Sequence, residues 1–475
     1  MDNKRIGDLL SEQFPYTPTA GQALLIRALA QFLAHPAADS VFVLKGYAGT
    51  GKTTLVSALV KILPRIGLGS VLLAPTGRAA KVLSNYSGNK AFTIHKKIYR
   101  PMTSAEGAIT VSLMPNLHKN TLFIVDEASK IPDIAGAADK MFSSGRSLLE
   151  DLFHYVFSGE DCSLILLGDS AQLPPVGITL SPALDLQYLQ NNFRLNTHSF
   201  ELVEVVRQSL ESGILSNATS LREQISQDIC KPPFFNLSTG NDVVDLKGGE
   251  LEEVLQSLIS RHDAESTVVI TRSNKRANLF NESIRSRILY REEEIAAGDL
   301  IMAVKNNYFW LPEDSKAGFI ANGDMLEVLA ITKRFELYDF RFAEARVRMI
   351  DYPDEKELEV LLLLDTLRTE TPALSQTENA RLFNDIMADY EDIPNKRRRI
   401  EKVKSNRHYN AVQVKFAYAL TCHKTQGGQW PNVIVDQGYM NEEMLNTEYL
   451  RWLYTAMTRA TKKLYLLNFQ ENFFK

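Results

Sequence analysis

The chain has 475 residues, 45% of them hydrophobic and 23% charged, close to the soluble globular average. That supplies apolar material for about three domains at ~150 residues each, and it excludes wholesale disorder, a collagen-like fibre and a continuous coiled coil. A formal net charge of −4 excludes a uniformly basic, histone-like binder but leaves room for a locally basic channel.

One pattern recurs through the first 180 residues: a short apolar run that leads at once into a small or polar motif. VFVLK (41–45) precedes GYAGTGKTT, SVLLA (70–74) precedes PTGRAA, TLFIV (121–125) precedes DEAS, and SLILL (163–167) precedes GDSAQLPP. Runs of four or five apolar residues without polar alternation suit strands covered on both faces of a parallel sheet. After Lys52, Leu55, Val56, Leu59, Ile62 and Leu63 recur at helical spacing. Alternating strands and helices predict an α/β, doubly wound sheet, in which ligands gather at the carboxyl ends of the strands. All four motifs fall there.

The second half starts the same way, with VVIT (268–271) before RSNK, and ends with AYALT (417–421) before CHKTQGG, then VIVD (433–436) and LYLL (464–467). The residues between, about 293–411, differ in character. GDLIMAV (298–304), NGDMLEVLAI (322–331) and RFAEARVRMIDY (341–352) read as short strands with Gly-Asp turns, which predicts a small β-barrel followed by helical residues at 375–390. Asn395–Arg407 holds seven Lys/Arg against one Glu, a net of +6, and suits either a solvated helix or a phosphate contact. The expected division is 1–195, with a short pin-like insertion near 97–118; then 196–292, 293–411 and 412–475.

Three cysteines, Cys162, Cys230 and Cys422, stand far apart with no zinc spacing, which suits a reducing compartment. The N-terminus lacks a secretory apolar stretch, and runs such as VLLLL (360–364) are too short to span a membrane. A soluble, cytoplasmic protein is expected.

Gly46-Tyr-Ala-Gly-Thr-Gly-Lys52-Thr53 fits GxxxxGK[ST] in full, between a strand and a helix. Its glycines let backbone N–H groups turn onto phosphate oxygens, Lys52 reaches the β- and γ-phosphates, and the Thr53 hydroxyl ligates Mg²⁺. ATP and Mg²⁺ are therefore the expected cofactors. Asp126-Glu127 closes a buried strand, where the two carboxylates can divide labour: Asp126 toward the metal, Glu127 as the base for water. The bland alternative is that Asp126 caps the next helix. Gln172, after another buried strand, is placed to sense a γ-phosphate and pass its state to the Pro174-Pro175 turn; the alternative is a loop in which proline only sets geometry.

Taken in order, GYAGTGKT, APTGRAA, TIH (93–95), VDEAS, GDSAQLPPVG, VVRQ (205–208), ALTCHKTQGG and LYTAMTRA (453–460) resemble superfamily-1 DNA helicases, above all the 5′-to-3′ RecD/Dda branch. The resemblance spans nearly the whole chain. It implies two RecA-like P-loop domains that hold ATP between them and single-stranded DNA across their tops, with a Src-homology-three-like barrel inserted in the second. Thr19 and Gln22 then resemble the adenine-reading element. Gly46, Ala48, Gly49, Thr50, Gly51, Lys52, Thr53, Thr54 and Gly427 would face the nucleotide, and Arg207 and Arg459 resemble two arginine fingers. Pro75, Thr76, Thr93, His95, Pro174 and Pro175 would line the DNA path in the first domain, and Thr421, His423, Lys424 and Gln426 in the second. Thr425 stands where the family has serine, and Gln429 where many relatives have an acid. The expected partners are single-stranded DNA and single-/double-strand junctions, with the protein a monomer. An unwinding motor, a translocase that remodels protein–nucleic acid complexes, a different P-loop enzyme and an inactive binding protein remain distinct readings.

Overall fold

The computed structural model describes the chain except at positions 1, 36, 104–108, 134–144, 176, 179, 207–211, 240, 260–263, 313, 314, 316 and 475; at 101–103 and 109–111 it describes the backbone alone. The apolar runs become strands: β1 (Ser40–Gly46), β2 (Gly69–Ala74) and β3 (Ala91–Thr93). β4 (Tyr99–Thr103) and β5 (Ile109–Leu113) form a separate antiparallel hairpin within the expected pin region. β6 (Thr121–Val125), β7 (Ser163–Gly168) and β8 (Asn196–Leu202) complete a six-stranded parallel sheet in the order β3-β2-β6-β7-β1-β8.

Every residue of β6 and β7 is buried, as strands with helices on both faces require. The helix Lys52–Ile62 buries Leu55, Val56, Leu59 and Ile62 in the core on one side of this sheet. Each such side chain contributes about 1.5–3 kcal/mol by leaving water. β8 pairs with β1 along its whole length, from Ser40↔Asn196 to Gly46↔Leu202. The first sheet therefore runs to Leu202, past the expected boundary at 195. Its mostly exposed sequence, NTHSFEL, hid an edge strand.

β9 (Val243–Leu246) and β10 (Thr267–Thr271) open the second sheet. The chain then leaves it for a closed barrel of β11 (Leu300–Ala303), β12 (Met325–Leu337), β13 (Phe340–Met349), β14 (Leu358–Leu363) and β15 (Val412–Phe416). β14 and β15 are parallel because two helices, Gln376–Ala388 and Lys396–Lys404, cross between them. The barrel is thus closed only by β15, so the expected boundary at 411 falls one strand early. β16 (Ala419–Thr421), β17 (Trp430–Asp436) and β18 (Ala460–Leu467) return to the second sheet, which is wholly parallel in the order β16-β10-β17-β18-β9. Two parallel α/β sheets with a barrel inserted in the second is the expected architecture.

The barrel also rests on the first domain. Its Asp324 sits against Gly77 at the start of the helix Gly77–Ser87, where a Cβ would lie 2.3 Å from Asp324 Oδ1. Glycine is needed there for close approach. Alongside, Lys81 Nζ donates to the Ile350 carbonyl at 2.9 Å and lies 3.7 Å from the Asp351 carboxylate.

Asp324 is fully buried and accepts the Ala321 N–H at 2.7 Å. Burial, and then the charge of Asp351, push its pKa up to about 8. Unfolded, the same group titrates near ~3.9. Between those values the folded protein holds a proton that the unfolded chain has released, so stability falls as pH rises through the window. Asp324→Asn is therefore expected to stabilise the protein at pH 8, by on the order of 1 kcal/mol or more, and to make little difference near pH 4. Thermal unfolding at both pH values tests this; an equal offset at both would assign the effect elsewhere.

Candidate active site

The phosphate loop leaves β1 and turns into the helix Lys52–Ile62 through Gly49 and Gly51, whose φ values of 76° and 87° are left-handed and favour glycine. Lys52 Nζ donates to the Gly46 carbonyl and, at 2.8 Å, to that of Tyr47, so its ammonium sits inside the curl of the loop. Thr50 Oγ1 also donates to the Tyr47 carbonyl, at 2.8 Å. Thr19 and Gln22 form a reciprocal cap at the start of the helix Ala20–Ala34. Gln22 Nε2 reaches the Thr50 carbonyl at 3.0 Å, which ties this element to the phosphate loop.

The loop borders a cavity of about 540 Å³ between the two sheets. Gln22, Gly49, Gly51, Lys52, Thr53, Thr54 and Ala48 line it from the first domain, together with Asp126, Glu127 and Gln172. Gly427, Gln429 and Arg459 line it from the second. Gly46 and Thr50 frame the loop from behind rather than lining the cavity. Arg207 lies outside the described residues.

Asp126 directly follows β6, and both its oxygens are engaged: Tyr86 Oη donates to Oδ2 at 2.6 Å and the Glu127 N–H to Oδ1 at 2.8 Å. Burial, and then the Glu127 charge, push its pKa up. Glu127 takes a left-handed backbone, φ 56°, and ion-pairs with Lys130 at 3.1 Å. Burial pushes its carboxyl up, yet Lys130 and Arg459 outweigh this and hold it below its usual range. Asp169 accepts the Ala171 N–H at 2.9 Å and the Tyr454 hydroxyl at 2.7 Å. That hydroxyl also accepts the Ala48 N–H at 3.0 Å, so Tyr454 in the second domain bridges the phosphate loop and the loop after β7.

Arg459 is buried, donating from Nε to the Thr455 carbonyl at 3.0 Å and from Nη1 to that of Gly428 at 3.3 Å. Gln172 has a buried Oε1 without a hydrogen-bond partner, while its neighbour Leu173 donates to Thr455 Oγ1 at 2.8 Å and accepts from Gln426 Nε2 at 2.9 Å. The loop after β7 is thus pinned to the facing domain.

The residues fit a nucleotide with magnesium on this structure's own terms. The left-handed glycines curl the loop around a cation, and Thr53 and Asp126 present hard oxygens to the same space. Mg²⁺ keeps several waters and phosphate oxygens, so one or two protein oxygens suffice.

A second cavity, about 440 Å³, collects Pro75, Thr76, His95, Pro175, His423, Lys424 and Gln426 from the expected strand path. Burial pushes His95 down to about 4, so it is neutral at pH 7, and Lys424 down to about 8. Lys424 Nζ is buried without a hydrogen-bond partner. Three expected residues are not brought here. Thr93 is buried and caps the short helix Ile94–Ile98, its Oγ1 accepting the Lys96 N–H at 3.2 Å. Thr421 precedes the helix Cys422–Thr425, and Pro174 faces a different cavity with Leu180 and Arg451.

Sequence reasoning missed the barrel's share of this wall, including Met302, Val304, Asn322 and Met325. It also missed Tyr86, Lys130 and Tyr454. Only Tyr454 carried a signal, by lying inside LYTAMTRA. Arg78 stacks on Trp430, 3.8 Å from the ring centroid, and joins the two domains at the wall of this second cavity.

Comparison with known proteins matches residues 19–229 to an AAA domain and residues 416–467 to a UvrD-like helicase C-terminal domain. The ATP-dependent DNA helicase dda of Enterobacteria phage T4 is 27% identical over 54% of this chain and 55% of its own. The ATP-dependent RecD2 DNA helicase of Deinococcus radiodurans is 32% identical over 39% of this chain and 22% of its own. The chain is thus similar to DNA helicases of the RecD and Dda kind. The matches to those two helicases thus span about half and about a fifth of their lengths. A Bacteroides Pif1 helicase, solved with ADP-AlF3 and ssDNA, aligns at 14% identity over 94% of this chain and 92% of its own, with a TM-score of 0.43. Among the described residues of this chain, no helix is long and apolar enough to cross a membrane.

Proposed function

We propose that this protein is a helicase that hydrolyses ATP to move 5′ to 3′ along single-stranded DNA and to open duplex ahead of it. The observation that carries the reading is the pair of cavities. One holds the phosphate loop, two carboxylates and an arginine from the facing domain; the other holds motif residues of both domains and a buried, unpartnered lysine.

In this reading the loop's N–H groups and Lys52 hold the phosphates, while Thr53 and Asp126 hold Mg²⁺. Bound ATP and its metal supply the reactive anhydride and neutralise charge at its phosphates. Glu127 takes a proton from the attacking water, and Arg459 offsets charge at the γ-phosphate from across the cleft, with Arg207 in the same role. Gln172 reports phosphate occupancy to Leu173 and so to Gln426. The strand is held by phosphate contacts, so its affinity falls with salt and varies little with base.

The short β4–β5 hairpin favours a second reading, a translocase that unwinds poorly. Tyr99, at its base, is buried and donates to Asp151 at 2.8 Å, so it anchors the hairpin rather than projecting from it. ATP-driven unwinding of duplexes with either a 5′ or a 3′ tail separates the readings. Opening of the 5′-tailed substrate alone is expected. Opening of the 3′-tailed one alone would reverse the polarity, and strand-stimulated turnover with neither opened would select the translocase.

A further inference from the structure

Glu127 and Lys130 are joined by one 3₁₀ turn, Ala128–Lys130, in which side chains three residues apart lie nearly in line. Their ion pair at 3.1 Å is therefore built into the chain just after β6. The two ends look in opposite directions. Glu127 lines the cavity of the phosphate loop, whereas Lys130 lines the strand cavity beside Thr76, His95 and Gln426. The Lys130 side chain is 6% exposed, and among the described residues its ion-pair partner is Glu127. A buried ammonium with a single carboxylate gains strongly from a second anion.

We infer that Lys130 is a positioning residue that couples the two cavities, holding the Glu127 carboxylate in the ion pair until a backbone phosphate of the strand draws the ammonium away. This rests on the proposed function above. With the pair intact, a Glu127 oxygen that would accept the proton of water is already taken by Lys130. A strand phosphate competes for the ammonium, the pair loosens, and the carboxylate turns to its own cavity. Strand binding then raises turnover through a contact of about one residue's length, with no large domain movement. By linkage, the same pair must weaken strand binding, because Glu127 holds a cation that the strand could use.

That reciprocity gives a test without nucleotide. Binding of a labelled oligothymidylate is followed by anisotropy for the parent, Lys130→Met, Glu127→Gln and the double variant, over a range of salt. Lys130→Met is expected to weaken binding about five-fold or more, the lower end of usual couplings. It should also lower the salt slope by about 0.7, the loss of one single-strand phosphate contact. Glu127→Gln is expected to tighten binding, and the double variant to behave as Lys130→Met alone.

Weakening by both single variants, or tightening by Glu127→Gln that survives the loss of Lys130, would overturn the coupling. Turnover gives a second readout: the ratio of strand-stimulated to basal rate should collapse in Lys130→Met and persist in Lys130→Arg, which keeps the charge and the reach. A ratio unchanged in Lys130→Met, with both rates lowered together, would leave Lys130 a purely structural residue. A parent protein whose turnover ignores single strands would instead remove the proposed function itself.

Discussion

Glu127→Gln is expected to lower ATP turnover by about 10²–10⁴-fold, the usual contribution of a positioned general base, while nucleotide binding stays near that of the parent. Glutamine keeps the shape and one acceptor oxygen but cannot take a proton. The backbone should tolerate it, because the left-handed φ of 56° is held by its neighbours: Asp126 Oδ1 accepts the residue's own N–H, and the 3₁₀ turn begins directly after it. The cost falls on Lys130, which is left buried with a weaker partner, so a modest loss of thermal stability accompanies the change. Single-turnover hydrolysis with a fluorescent ATP analogue checks both quantities. Residual turnover within ten-fold of the parent would move the base to another residue.

Arg459→Lys is expected to be nearly as severe, on the order of 10³-fold or more in turnover, with strand affinity measured without nucleotide unchanged. Lysine is the informative choice. Alanine would remove the Arg459 donors from the carbonyls of Thr455 and Gly428 inside a buried site, and a folding defect could be mistaken for a chemical one. Lysine keeps a charge in that place but lacks the planar fork that can bond the chain's own carbonyls and a phosphate oxygen together. Equal melting temperatures with collapsed turnover support the finger role. Unimpaired turnover would remove Arg459 from it.

The sequence exposed what depends on neighbours in the chain. VFVLK, TLFIV and SLILL are apolar throughout because both faces of their strands are covered, and the motifs follow because strands end where ligands sit. It concealed what depends on distant partners. VVDL is only half-buried at the sheet's edge, so β9 carries no continuous apolar run. β15 is separated from β14 by two helices, which made the barrel look finished before it was.

Within the site, the resemblance named hydroxyls by motif position, but backbone geometry decides their use. Thr93 spends its hydroxyl on a helix N-terminus, as threonines before helices commonly do. Lys130 and Tyr454 gain their meaning only once two domains meet. Nothing in the letters DEASK says which cavity the lysine enters.

The order of strands in the second sheet sets a timetable for making this protein. β9 lies at the sheet's edge, and among the described residues its neighbour is β18 alone, through Leu464↔Val243 and the three pairs that follow. Those partners are about 220 residues apart, roughly 10–40 s of synthesis at ~5–20 residues per second. The first sheet, complete at Leu202, can fold on the ribosome meanwhile, whereas β9 must wait with its edge unpaired. The strand that ends the wait, Ala460–Leu467, begins directly after Arg459. A chain interrupted before Arg459 carries a complete first sheet and its phosphate loop, but neither a complete second sheet nor the arginine that faces that loop.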